Sequence, residues 1–92
     1  MTFTYCLRDG SVADEATWQA KQGDAHYVQV EKTTLPNGCW ISTLWLGIAP
    51  KLFETVVFDN ATRQGLDRQT YATEAEARSG HQRLAEKWAG VG

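Results

Sequence analysis

The sequence predicts an α+β domain: an antiparallel sheet of three to five strands with two helices, in the order β-α-β-β-β-(β)-α. Three observations carry this. Runs of period-two alternation recur along the chain, an Asn37–Gly38 pair separates two of them, and the chain closes on a segment with a helix-start signature and an apolar stripe. Strands joined by short turns and flanked by helices pack as an antiparallel sheet with its helices set to one side.

The elements follow in order. "TFTYCL" puts Phe3, Tyr5 and Leu7 on one face of a short strand that ends at the Asp9–Gly10 turn. "SVADEATWQAKQG" predicts a helix of about ten residues. Ser11 or Asp14 can cap its start, Asp14 and Glu15 suit the positive end of its dipole, and Gly23 supplies a stop. Trp18, its one large apolar residue, is expected to anchor it to the sheet.

"HYVQVEKTTL" alternates, with His26, Val28 and Val30 on one face and Tyr27, Gln29 and Glu31 on the other. Asn37–Gly38 then predicts a two-residue type I′ hairpin, because both residues accept positive φ. Counting back from that loop sets Leu35 opposite Trp40, Val30 opposite Trp45 and Val28 opposite Gly47. "CWISTLWLG" is apolar on both faces and reads as a central strand, with Trp45 in the core and Trp40, beside the hairpin tip, as the candidate for an exposed patch.

After an Ala49–Pro50 turn, "KLFETVVFD" reads as another strand apolar on both faces, with Glu54 at an edge or paired. "NATRQGLD" is a polar turn region and "RQTY" a short edge strand. In "TEAEARSGHQRLAEKWAG", Thr73 and Glu76 form a capping box, and Ala77, His81, Leu84 and Trp88 make one apolar stripe. Gly80 inside this helix costs about 1 kcal/mol relative to Ala, which close approach to the sheet or a kink would explain.

The totals exclude several functions. Ninety-two residues make one domain over 1–92. Nine basic and eleven acidic residues, well mixed, give a net charge of −2, so neither a basic groove for nucleic acid nor the acidic surface of a DNA mimic is expected. No run approaches the ~20 apolar residues of a membrane helix, and "MTFTYCLRDG" does not resemble a secretion signal. With two separate cysteines, Cys6 and Cys39, the reading is a cytosolic protein with reduced thiols.

No constellation points to catalysis or to a cofactor. Two histidines and two cysteines stand singly, without CxxC, HxH or HExxH spacing. His81 and His26 read as hydrogen-bonded histidines at the core edge. Neither cysteine begins a helix, where a thiolate would be stabilised. GxSxG, P-loop and GxGxxG motifs are missing. No enzyme, metal or cofactor is expected.

"WISTLWLG", "LFETVVF" and "YATEAEARSGH", in this order, resemble the V-S-T-V-W-L-G, F-E-T-M-V-F and R-Y-x-T-E-x-E-A-x-x-G-H motifs of small proteins encoded by tailed phages, prophages and actinobacteria. The resemblance covers about Tyr5 to His81. Matching positions are Ser42, Thr43, Trp45, Gly47, Phe53, Glu54, Thr55, Tyr71, Thr73, Glu74, Glu76, Gly80 and His81. One departure is "IAPK", which replaces an Asp-His and a Gly/Pro-rich loop.

The resemblance implies a phage or mobile-element origin and no reaction. The function expected is a small non-enzymatic interaction protein that binds a host or phage protein in the host cytosol, one version being an inhibitor of a host defence such as CRISPR interference. Trp40, Leu35 and Tyr27 are its candidate contact residues. Two alternatives are a particle-assembly component that self-associates, and a small-molecule or nucleotide binder with a pocket near Glu54, His81 and Tyr71. A buried Glu54–His81 hydrogen bond is the expected polar pair.

Overall fold

The structure, a computed structural model, describes residues 3–90. Its order is β1 (Tyr5–Cys6), β2 (Val12–Ala13), α1 (Glu15–Gln22), α2 (Ala25–Val28), β3 (Gln29–Thr34), β4 (Trp40–Ile48), β5 (Lys51–Phe58), β6 (Gly65–Tyr71) and α3 (Glu74–Ala89). All strand pairings are antiparallel, as the α+β reading requires. The sheet runs β2-β1-β4-β5-β6, with β3 also on β4. β1 pairs with β4 at Ile48 and β3 pairs with it from Trp40 to Leu44, so these two strands share one side of β4 end to end.

Two elements exceed the sequence expectation. β2 pairs back on β1 across the Asp9–Gly10 turn. The segment from His26 to Val28, expected as strand, is a single helical turn, because the Asp24 carboxylate accepts the backbone N–H groups of His26 (3.1 Å) and Tyr27 (3.3 Å). Side-chain capping of this kind overrides an alternating pattern. His26 is therefore exposed instead of lying at the core edge.

The hairpin between β3 and β4 also differs, by one residue. Its loop is Pro36-Asn37-Gly38: Gly38 N–H donates to Leu35 O (3.0 Å) and Leu35 N–H to Cys39 O (2.8 Å). Pro36 pre-sets the first turn position, and only Gly38, at φ 93, takes positive φ. The register is Thr34↔Trp40, Thr33↔Ile41 and Glu31↔Thr43, so Leu35 does not face Trp40. A bulge at Val30 then shifts the pairing so that Gln29 meets Leu44. The Gln29 amide fills the gap by donating to the carbonyls of Glu31 (2.8 Å) and Thr43 (3.2 Å).

These registers separate the two sheet faces. Ile41, Thr43 and Trp45 on β4, and Phe53, Thr55 and Val57 on β5, are fully buried. Ala77, Leu84 and Ala85 of α3 pack on them, and Trp18 of α1 and Tyr27 of α2 join the same core. Trp18 fulfils its expected anchoring role, donating Nε1–H to Leu46 O at 3.0 Å and stacking on Tyr5 with centroids 4.6 Å apart. The alternate residues, Trp40, Ser42, Leu44 and Leu46 on β4 and Glu54, Val56 and Phe58 on β5, point away from the helices.

Candidate functional site

The helix-free face is built from the middle of the sheet. Trp40 and Phe58 are directly opposite in the β4–β5 ladder. Their rings stack with centroids 4.3 Å apart and planes at 21°. The Lys32 ammonium lies 4.9 Å above the Trp40 ring, so cation–π attraction holds a charge beside the aromatic pair. Leu44 and Leu46 extend the apolar strip along β4, both half-buried. Across the sheet the next row reads Lys32, Ser42, Val56, Arg68. Leu66 and Arg68 border a shallow depression of about 420 Å³ beside Val56 and Gly65. Glu54, on the same face, pairs with Arg68 at 3.7 Å. The result is an apolar, aromatic strip rimmed by two cations and one carboxylate.

The helix-covered face holds a buried polar chain. His81 is fully buried and both ring nitrogens are used: Nε2 meets Thr33 Oγ1 at 2.8 Å, and Nδ1 meets Thr43 Oγ1 at 2.7 Å. Thr43 Oγ1 continues to Thr55 Oγ1 at 2.6 Å. Burial pushes the His81 pKa below its ordinary value; the Glu31 carboxylate, 3.8 Å from Nε2, opposes this and Arg78 reinforces it. The polar chain runs on to the surface. Arg78 lies 3.7 Å from Glu31 and 3.0 Å from Glu74, and Glu74 takes both ends of the Arg8 guanidinium at 2.8 and 2.9 Å. The hydrogen bond from Arg8 holds the Glu74 carboxylate below the usual carboxylate range. Among the described residues every buried side-chain nitrogen and oxygen has a partner. This arrangement ties β3, β4, β5 and α3 together and leaves His81 no access to a substrate.

The candidates from the sequence scatter accordingly. Trp40 lies on the helix-free face. Leu35 is buried under α3 with Ile41, Val57, Leu84 and Ala85. Tyr27 packs edge-on against Trp45 at 4.9 Å, and its hydroxyl accepts the Arg8 backbone N–H at 2.8 Å, which makes it a packing residue on the helix side. Glu54 and His81 occupy opposite faces, so the expected pair between them does not form. Tyr71 borders surface cavities of about 510 and 280 Å³ along α3, shared with Arg83, but neither Glu54 nor His81 lines them.

Phe58 and Lys32 were missed by sequence reasoning. The signal for both is the register, since Phe58 joins Trp40 only once the β4–β5 ladder is known. Among the described residues, no group of three His, Cys, Asp or Glu side chains is placed to hold a metal ion, and no helix is long and apolar enough to cross a membrane. No family model, curated protein or solved structure matches the chain.

Proposed function

We propose that this is a small non-enzymatic interaction protein that docks a protein partner on the helix-free sheet face. The observation that carries the reading is the Trp40–Phe58 stack on a face without a helix, beside Leu44, Leu46 and Lys32. Aromatic residues in a partly exposed apolar patch with a polar rim have the composition of binding hot spots. Stacking of bases fits less well. The Trp40 ring is already stacked on Phe58, with the Lys32 ammonium 4.9 Å from its centroid, and the net charge is −2.

The motif resemblance supplies a setting: a phage or prophage product acting in the host cytosol on a host or phage protein, with inhibition of a defence system such as CRISPR interference as its concrete form. The test is affinity capture of the tagged protein from host lysate, read by mass spectrometry, beside folded Trp40→Ala and Phe58→Ala variants. One stoichiometric partner, lost with both variants, is the expected result. A partner retained by both variants, or none captured by the wild type, contradicts the reading.

A further inference from the structure

β6 ends the sheet, and the direction of its backbone groups follows from one hydrogen bond. Leu35 N–H donates to Cys39 O, so β4 residues of that parity, Ile41 and Thr43, bond toward β3. Trp40, Ser42 and Leu44 therefore bond toward β5, where they meet Phe58, Val56 and Glu54. On β5 this leaves Phe53, Thr55 and Val57 to bond β6 through Tyr71, Gln69 and Asp67. Leu66, Arg68 and Thr70 then direct their N–H and C=O groups outward.

The centre of that outward row is occupied by a side chain. Arg68 donates its backbone N–H to Asp67 Oδ1 at 2.9 Å. The other oxygen, Oδ2, is held from α3 by Lys87 Nζ at 2.9 Å and Trp88 Nε1 at 3.0 Å. Three donors thus fix this carboxylate where it satisfies the middle N–H of the free edge. Charged side chains that block edges are a recognised defence against edge-to-edge pairing.

We infer that the free edge of β6 is a pairing surface for a second copy of this chain, and that Asp67 holds it closed. The residues select the partner. Pairing about a two-fold axis must oppose outward-facing residues. Centred on Arg68 it would set two arginines together, but centred on Gln69 it sets Arg68 against Thr70 and Asp67 against Tyr71, with no like charges opposed. β6 spans seven residues without proline, long enough to form such a ladder. This inference does not depend on what docks on the Trp40 face.

The test is sedimentation of the wild type, Asp67→Ala and Asp67→Ala/Arg68→Pro, with amide exchange on the wild type. The wild type is expected to stay monomeric at micromolar concentration. Asp67→Ala should form a reversible dimer with a Kd at least about tenfold lower than that of the wild type. Adding Arg68→Pro should abolish that dimer, because proline removes the outward donor while an edge strand tolerates it. In the wild type the Arg68 amide should exchange more slowly than the Thr70 amide. A folded, monomeric Asp67→Ala overturns the inference. So does equal exchange at Arg68 and Thr70, a result that needs no variant to fold.

Discussion

Gly80 of α3 sits directly over the ring of Tyr71 on β6, so that a Cβ built at Gly80 collides with the Tyr71 hydroxyl and ring. The helix approaches the sheet edge through this notch. Gly80→Ala should therefore destabilise the fold by about 1–3 kcal/mol through overpacking, although Ala exceeds Gly in helix propensity by about 1 kcal/mol. Urea unfolding would show this. In a Tyr71→Ala background the same substitution should become neutral or stabilising, because the obstruction is gone.

His81 predicts an acid-sensitive step. Its folded pKa is depressed by burial, from a reference of 6.5, so the unfolded chain binds the proton more readily. Stability is then complete above pH 6.5 and falls as pH drops from there toward the folded pKa. Glu74 and Asp67 are also depressed, from 4.5 and 3.8, and add a separate loss at lower pH. His81→Gln should lower stability at neutral pH and flatten the curve between the two regions. An unchanged slope just below pH 6.5 in His81→Gln would assign the step to another group.

Thr43 links His81 to Thr55, so Thr43→Val leaves polar atoms unpaired on both sides. A cost of about 1–3 kcal/mol is expected by denaturant unfolding. Val is nearly isosteric with Thr, so a neutral result would mean the hydroxyl chain contributes little.

Arg8 grips Glu74 with two parallel bonds and donates Nη1–H to Tyr27 O at 3.1 Å. Lysine cannot reproduce this fork. Arg8→Lys should cost about 1–2 kcal/mol in thermal unfolding, more than exposed ion pairs contribute. The loss should persist in high salt, since the pair is partly buried.

Leu35 and Thr34 test the hairpin register. Leu35 is buried at 8% exposure and Thr34 is exposed. Leu35→Ala should cost about 2–5 kcal/mol, and Thr34→Ala should stay within about 0.5 kcal/mol. The type I′ register would reverse this order, since it would place Leu35 beside Trp40.

The sequence made the sheet, the antiparallel order and the two long helices legible because each rests on a local rule. Examples are the Thr73 cap, the Asp14 cap and the alternation through β4 and β5. What failed was set by single residues with non-local consequences. Pro36 lengthened the hairpin loop by one residue, and since side chains alternate with period two, that moved Leu35 from the Trp40 face to the core. Asp24 turned His26 and Tyr27 into a helical turn. The expected Glu54–His81 bond failed because alternation along β5 places Glu54 opposite to Phe53 and Thr55. The hydroxyls of Thr33 and Thr43 and the Glu31 carboxylate meet His81 instead, with Thr55 behind Thr43, and only the three-dimensional pairing of β3, β4 and β5 brings them together.

Under the proposed function, a protein partner covers the half-buried aromatic strip of Trp40 and Phe58 on the helix-free sheet face. Hydroxyl-radical footprinting of the protein alone and in its captured complex tests this directly. Trp40, Phe58, Leu44 and Leu46 should lose reactivity on binding, with Trp18 and Trp88 unchanged. Protection confined to α3 or the α1–α2 side, with Trp40 and Phe58 as reactive as in the free protein, would contradict it.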